Sequence, residues 1–311
     1  MLEEYALVPD IFQTEAYTAE VLADAYLPFL KEPLFQEALV RDLCDGGWSL
    51  HCLGKAETMH RLGKEILRKL QTGNRLCVAA RCTPAQPEQA ADWCSEALSS
   101  HAVKPLSGIV TTHHTKLSYP QNEVASIEKL AGTAWWQSRS PSKTLGRKTA
   151  DYLAVLDRVL RQANSLMFID PNLDPSQRNY REFVQLLHAM AGRTPRPRIE
   201  LHRSFCKGDG PARTFPSQAE WQVSFHQLGQ QLSAVGLSAE VFFWEDFHER
   251  YLITDIVGVS VPAGFDITVG QSDWSTWGRL GRADRDKIQL LFDPAARTAS
   301  LKARFRIGAV S

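Results

Sequence analysis

Residues 247–255 read FHERYLITD, and this stretch decides the fold that the sequence predicts. His248 and Arg250 stand two positions apart, immediately before an apolar run. In an extended strand, positions i and i+2 lie on the same face of the sheet. The pattern therefore predicts an imidazole and a fixed positive charge that point at one spot, and such a pair suits a phosphate group.

A second stretch, HHTKLS, occupies residues 113–118 and repeats the spacing in His114 and Lys116. Strand alternation would send the neighbouring His113 to the opposite face. Cleavage of a phosphodiester through a covalent step needs a nucleophile for phosphorus and an acid for the leaving oxygen. Two histidines supply both, because the pKa of imidazole lies near neutrality. This chemistry requires neither a metal nor another cofactor.

The segments around the two stretches follow a similar order of strands and helices, with turn-forming residues at 138–147 between them. The first series is a strand at 48–53, a helix at 57–70, a strand at 75–80, a helix at 88–99 and an extended segment at 103–112. The second is a helix at 149–162, a strand at 165–170, a helix at 180–190, a strand at 198–204, a helix at 217–234 and a strand at 239–244.

This order predicts an α/β protein with an internal duplication. Residues 1–45 are interpreted as a helical amino-terminal segment, 46–140 as the first half and 141–311 as the second. A tail helix and a closing strand are expected after residue 279, with Lys302, Arg304 and Arg306 on one solvent-exposed face. The alternative is that strands and helices merely alternate, as they do in any α/β protein.

Both stretches resemble the HxK motif of the phospholipase D superfamily, and HHTKLSY is similar to the first motif of tyrosyl-DNA phosphodiesterases. In that superfamily an aspartate follows the HxK motif after four residues, and a Gly-Ser-x-Asn-like turn comes later. His248, Arg250 and Asp255 keep this spacing, and residues 264–266 (GFD) stand near the position of the turn. The first copy has Gln121 in place of the aspartate.

The resemblance implies a phospholipase D-like fold of two pseudo-symmetric α/β halves with mixed sheets and an active site at their interface. It also implies a phosphohistidine intermediate. By analogy His114 is the nucleophile and His248 the general acid. Lys116 and Arg250 hold the phosphate, and Asp255 is a buried orienting or structural group. The two candidate turns add possible substrate-binding residues: Thr133, Trp135, Gly264 and Asp266.

The first functional hypothesis is a metal-independent phosphodiesterase, most simply a nuclease with nucleic acid as its partner. The second is a catalytically degenerate binding or assembly subunit of a bacterial defence or DNA-processing complex, with protein partners. The second hypothesis is motivated by the departures from the motif. The first copy lacks the acid, the second has arginine for lysine, and neither turn contains the asparagine.

Composition sets limits on these hypotheses. The 311 residues carry a formal net charge of zero, so an anionic substrate must be held by local charges. The amino terminus, MLEEYALVPDIF, is acidic where a secretory signal is basic, and no stretch is apolar enough to span a membrane. The six cysteines are scattered without a CxxC pair, which favours reduced thiols over a metal site. These features predict a cytoplasmic protein without membrane association.

Overall fold

The computed structural model describes residues 1–208, 210–268, 273–296 and 300–308. The chain divides into two compact units. The amino-terminal unit is Leu2–Ser140, and the carboxy-terminal unit is Pro141–Ser311 together with Met1. Among the described residues, no helix has the length and apolar character needed to cross a membrane.

Five parallel strands form the sheet of the amino-terminal unit, in the order β3-β2-β1-β4-β5. The elements of this unit are β1 (Glu3–Leu7), α1 (Glu20–Glu37), β2 (Ala38–Asp42), α2 (Leu43–Gly54), α3 (Arg61–Thr72), β3 (Leu76–Val78), α4 (Ala90–Val103), β4 (Gly108–Thr111), α5 (His113–Lys116), β5 (Val124–Ser126) and α6 (Ala134–Gln137). The strand order reverses between β1 and β4, and this makes their carboxyl ends the topological switch point of the sheet.

The expectation of a helical addition at residues 1–45 is wrong. These residues supply β1, the central strand of the sheet, and its neighbour β2, as well as α1. Both strands are short and almost wholly buried, so they lack the alternation of polar and apolar residues by which a half-exposed strand is identified.

The strand predicted at 48–53 is also wrong, because this segment belongs to α2. Trp48 and Cys52 are buried, whereas Leu50 and Leu53 are 69% and 47% exposed. A spacing of four between buried positions is that of a helix, and alternation would have buried Leu50. The predicted helices at 57–70 and 88–99 and the strand at 75–80 are confirmed as α3, α4 and β3.

Eight strands form the mixed sheet of the carboxy-terminal unit, in the order β13-β9-β8-β7-β10-β11-β12-β6. The elements are β6 (Ser142–Gly146), α7 (Thr149–Gln162), β7 (Ser165–Ile169), α8 (Phe183–His188), β8 (Arg198–Ser204), α9 (Gln218–Ala234), β9 (Ser238–Trp244), β10 (Tyr251–Thr254), β11 (Gly258–Ser260), β12 (Trp274–Arg279), α10 (Arg282–Leu291) and β13 (Leu301–Gly308). Strands β7, β8 and β9 are parallel, and the remaining neighbours are antiparallel.

The prediction of an α/β protein is confirmed, but the two units are not pseudo-symmetric copies with mixed sheets. The amino-terminal sheet is wholly parallel, and the carboxy-terminal sheet is mixed and has a different strand order. The sequence pattern orders strands and helices along the chain. It does not fix which strands become neighbours or the direction in which they run.

Each face of the carboxy-terminal sheet has its own apolar cover. On one face α9 packs Trp221 and Phe225 against Phe243 of β9, with ring centroids 5.1 and 6.0 Å apart. On the other face Trp244 meets Phe292, which directly follows α10, at 5.7 Å. The two covers hold the sheet rigid, and its strand ends thereby hold the side chains described next.

Candidate functional site

A buried carboxylate lies at the carboxyl end of β7. Asp170 is fully buried and accepts hydrogen bonds from the backbone N–H groups of Asn172 and Phe265, both at 3.0 Å, and from the hydroxyl of Tyr180 at 2.9 Å. Burial raises the pKa of the Asp170 carboxyl, while these hydrogen bonds and the charge of Arg250 oppose the rise. Arg250 Nε lies 3.6 Å from Asp170 Oδ1.

Gly264 allows the next turn to close on this carboxylate. Its φ is +79°, in the left-handed region that favours glycine. A Cβ atom at this position would collide with Asp170 Oδ2 and would lie 3.2 Å from Arg250 Cδ. The predicted turn glycine therefore shapes the surroundings of Arg250, although it was expected to contact substrate.

His248 and Arg250 lie in the connection between β9 and β10, just before β10 begins at Tyr251. Tyr251 pairs with Ile169 in the antiparallel register of β10 and β7. This pairing brings Arg250 to Asp170, the residue after β7. His248 is exposed, and its carbonyl accepts a hydrogen bond from Arg250 Nη1 at 3.3 Å.

The two predicted residues share a cavity of about 220 Å³ at this end of the sheet. It is lined by Pro171, Asn172, Ser204, Cys206, Gly208, Arg213, Asp246, Phe247, His248 and Arg250. The cavity therefore combines one imidazole, two guanidinium groups and one carboxylate.

Arg213 is the second cation of this cavity, and Asp246 fixes its position. Arg213 Nη2 lies 2.8 Å from Asp246 Oδ2, while the hydroxyl of Ser204 donates to Asp246 Oδ1 at 3.2 Å. Arg213 Nε is buried and has no hydrogen-bond partner among the described residues. An unpaired buried N–H is costly, and an anionic oxygen in the cavity would satisfy it.

Sequence reasoning missed Asp170 and Arg213. Asp170 ends an apolar predicted strand, and a carboxylate at that position was the available signal. Arg213 lies just beyond the loop at 207–211, which was interpreted only as a break between elements. Neither residue is near His248 in sequence, and only the sheet joins the three segments.

Asp255 is not a buried member of the site. It lies at the far end of β10, is exposed, and accepts hydrogen bonds from the backbone N–H groups of Asn164 and Ser165 at 3.0 and 3.3 Å. It therefore caps the start of β7. Asp266 is likewise absent from the cavity lining, since its carboxylate pairs with the guanidinium of Arg147.

His114 and Lys116 lie in the amino-terminal unit, and the expected strand is the short helix α5. Helical positions i and i+2 are about 200° apart around the axis, so the two side chains do not share a face. His114 is exposed. The ammonium of Lys116 donates to the carbonyls of Tyr119 at 2.7 Å and Gln121 at 2.9 Å. Lys116 thus stabilises the turn after α5.

Asp10 anchors α5 at the switch point between β1 and β4. It accepts hydrogen bonds from the hydroxyls of Thr112 at 2.6 Å, Thr115 at 2.7 Å and Thr111 at 3.1 Å. Burial raises the pKa of the Asp10 carboxyl, and the hydroxyls act in the opposite direction. These contacts explain why the chain after β4 turns into a helix instead of continuing as a strand.

The candidate turn of the first stretch makes contacts within its own unit. The hydroxyl of Thr133 donates to the carbonyl of Leu130 at 2.8 Å, and Trp135 Nε1 donates to the carbonyl of Asn122 at 3.1 Å. The ring of Trp135 covers Gly108, where a Cβ would collide with it. Thr133 and Trp135 are therefore parts of the packing of this unit.

The thiols and potential ligands give a mixed result. All six cysteines are free; four are buried, Cys77 is partly buried and Cys82 is exposed, so the interpretation as core thiols fails for Cys82. Across the described ranges, no group of three or more histidine, cysteine, aspartate or glutamate residues is arranged to hold a metal ion.

Comparisons with known proteins identify no family. No family model matches the chain, and no curated protein matches it. Among solved structures, the chain is similar to that of TrmBL2, described as an archaeal chromatin protein with a novel mode of DNA binding. The identity is 11%, the match covers 76% of this chain and 81% of that chain, and the TM-score is 0.27.

Proposed function

We propose that this chain is a metal-independent phosphodiesterase that acts on nucleic acid and that its reactive centre is the cavity containing His248. The observation that supports this proposal is the joint position of His248, Arg250 and Arg213 in the lining of one cavity. An imidazole beside two guanidinium groups is an arrangement suited to phosphoryl transfer.

In this proposal Arg250 and Arg213 hold the non-bridging oxygens of the phosphate. Arginine is suited to the task because its planar guanidinium binds two oxygens at once and stays charged. Asp170 orients Arg250, and Asp246 orients Arg213. The unpaired Nε of Arg213 provides a further N–H for the substrate.

His248 is the nucleophile in this proposal because it is the ring that lies beside the two cations. A ring nitrogen bonds to phosphorus as the P–O bond to the leaving oxygen breaks, and that oxygen takes a proton from a second group. Water then attacks phosphorus, breaks the P–N bond and frees the histidine. His114 is the candidate donor of the proton, so the roles suggested by the resemblance are exchanged.

The carboxy-terminal unit is the part of the chain for which we propose a phospholipase D-like fold. Its motif spacing coincides with structural junctions: His248 and Arg250 precede β10, Asp255 follows it, and the Gly264 turn closes on the orienting carboxylate of Asp170. The corresponding stretch of the amino-terminal unit has no such arrangement.

The test is hydrolysis of single-stranded and duplex DNA and RNA by the full chain in EDTA. The wild-type protein is expected to cleave at least one of them, and His248→Ala is expected to lower kcat/KM at least about 10³-fold, in the range for loss of a group in acid–base or covalent catalysis. His226→Ala, on the exposed side of α9, is the matched control. Wild-type inactivity on all four substrates would refute the proposal.

The alternative is that the chain is a binding or assembly subunit without turnover. The observation that favours it is the engagement of Lys116 by two backbone carbonyls, which leaves the first stretch without its phosphate-binding cation. It predicts that His248→Ala and His114→Ala both retain biological activity, while substitutions that abolish partner binding remove it.

A further inference from the structure

A row of cations lines the outer edge strand of the carboxy-terminal sheet. Lys302, Arg304 and Arg306 alternate along β13, and all three are exposed. Successive members are separated by about 6.6 Å of strand, since each residue advances the strand by roughly 3.3 Å. The strand itself is held by antiparallel pairing to β9.

The row runs from one end of the sheet to the other. Leu301 pairs with Trp244, at the carboxyl end of β9, and Gly308 pairs with Ser238, at its amino end. The chain passes from Trp244 directly towards His248. Lys302 is therefore at the end of the sheet that carries the cavity with His248, and Arg306 is towards the opposite end.

A second cavity, of about 480 Å³, lies at that opposite end and includes three arginines in its lining. They are Arg196, Arg198 and Arg306. Arg306 Nη2 donates to the hydroxyl of Ser238 at 2.8 Å, a neutral partner that leaves its charge uncompensated. The row of cations therefore ends in a basic cavity of the size that small-molecule ligands occupy.

The local charge balance is positive. Five cations, the three of β13 with Arg196 and Arg198, stand against the carboxylates of Glu200, Glu240 and Glu245. The ion pairs along β13 are long and exposed: Lys302 Nζ lies 3.4 Å from Glu245 Oε1, and Arg304 Nη1 lies 3.9 Å from Glu240 Oε1. Exposed pairs of this kind contribute little to stability, so the cations remain available to another anion.

We propose that the β13 row, defined as Lys302, Arg304 and Arg306 with Arg196 and Arg198 at its end, binds the phosphate backbone of a nucleic-acid strand whose scissile bond lies at His248. This proposal rests on the proposed function and extends it, because it makes the substrate a polymer. Evenly spaced cations without base-reading groups provide binding that is independent of sequence and sensitive to salt.

The first test measures binding without catalysis. The probe is a labelled oligo(dT) of about 12 nucleotides, within the usual site sizes for single-stranded DNA, and the protein is His248→Ala, so that the probe stays intact. Adding Arg304→Ala with Arg306→Ala is expected to weaken binding about tenfold and to lower the slope of log K against log salt by about 1.4, or roughly 0.7 for each phosphate contact.

The matched control removes two exposed cations of α10, Arg282→Ala with Lys287→Ala, and is expected to leave both quantities unchanged. All variants change exposed side chains, and circular dichroism confirms their folding. Equal affinity and equal salt slope in the β13 variant and its parent would overturn the proposal. Absence of oligo(dT) binding by the parent would overturn it as well.

The second test separates this proposal from the proposed function. In the protein with His248 intact, the β13 variant is expected to raise KM about tenfold for a long oligonucleotide and to leave the turnover of a dinucleotide unchanged. An equal loss on both substrates would overturn the β13 row as a backbone site. If no substrate is cleaved but oligo(dT) binding still falls in the β13 variant, the proposed catalysis fails and the backbone site stands.

Discussion

The two units place the same His-x-cation pattern in different structural settings. After β4 the chain is caught by Asp10 and three threonine hydroxyls and forms α5, where His114 and Lys116 point apart. After β9 the chain turns back and enters β10 beside β7, where His248 and Arg250 share a cavity. Spacing alone therefore does not define a site.

The fate of the cation distinguishes the two settings most clearly. Lys116 donates to two carbonyls of its own turn, whereas Arg250 lies against the buried carboxylate of Asp170 and still lines the cavity. A buried carboxylate can orient a guanidinium without consuming all its donors, because arginine carries five N–H groups. The comparison teaches that the direction of the strand that follows the pattern decides whether a site forms.

The largest expected effect comes from exchanging the two cations for alanine. Arg250→Ala is expected to lower kcat/KM for the phosphodiester about 10²-fold, because a phosphate contact that strengthens during the reaction is lost. Lys116→Ala is expected to lower the free energy of unfolding by about 1 kcal/mol with little change in kcat/KM. Steady-state kinetics and urea unfolding of both variants give the two quantities. A larger catalytic loss for Lys116→Ala than for Arg250→Ala would break the comparison.

An intermediate effect is expected at the turn that closes on Asp170. Gly264→Ala combines a left-handed φ with a collision against Asp170 Oδ2, so the free energy of unfolding should fall by about 1–3 kcal/mol. The shift of Arg250 that follows should lower activity as well. Gly278→Ala is the matched control, since a Cβ there meets no atom within 4 Å. Equal stabilities of the two variants in urea would show that the turn does not constrain the site.

The smallest effect concerns a buried histidine of the carboxy-terminal unit. His202 accepts a hydrogen bond from Trp244 Nε1 at 3.0 Å, and its Nε2 lies 3.1 Å from Glu200 Oε2. Burial lowers the pKa of His202, while Glu200 opposes this shift. A lowered pKa means that the unfolded chain binds the proton first, so this stability is present above the unfolded pKa of about 6.5 and is lost as the pH falls towards the folded pKa.

The free energy of unfolding should therefore fall by up to about 1.4 kcal/mol for each pH unit below roughly 6.5 through this group. His202→Gln should flatten that part of the profile, and the exposed His226→Gln should not. Because His202 belongs only to the carboxy-terminal unit, the change should appear in hydrogen exchange of β8 and β9. An unchanged profile in His202→Gln would contradict the assignment.

The sequence predicted the carboxy-terminal unit better than the amino-terminal one. The predicted helix at 149–162 and the strand at 198–204 agree with α7 and β8, because these segments have clear periodicity and strong breakers at both ends. In the amino-terminal unit, β1 and β2 are short and buried on both faces, and such strands have no alternating pattern. Strand order and direction depend on packing between distant segments and were beyond the sequence in both units.

The candidate site was predicted in the same uneven way. His248 and Arg250 follow from a local pattern, and the structure places them in one cavity. Asp170 and Arg213 come from segments about 80 and 35 residues away in sequence, so no local spacing relates them to His248. Asp255 fits the motif by spacing, yet β10 carries it to the opposite end of the sheet.

The most direct test of the account is to locate the covalent intermediate. The full chain is mixed with a labelled oligonucleotide, quenched during turnover under conditions that preserve phosphohistidine, digested and analysed by mass spectrometry. The account predicts the nucleotidyl adduct on His248, its loss in His248→Ala and its persistence in Lys116→Ala. An adduct on His114, or turnover without an adduct on His248, would contradict it.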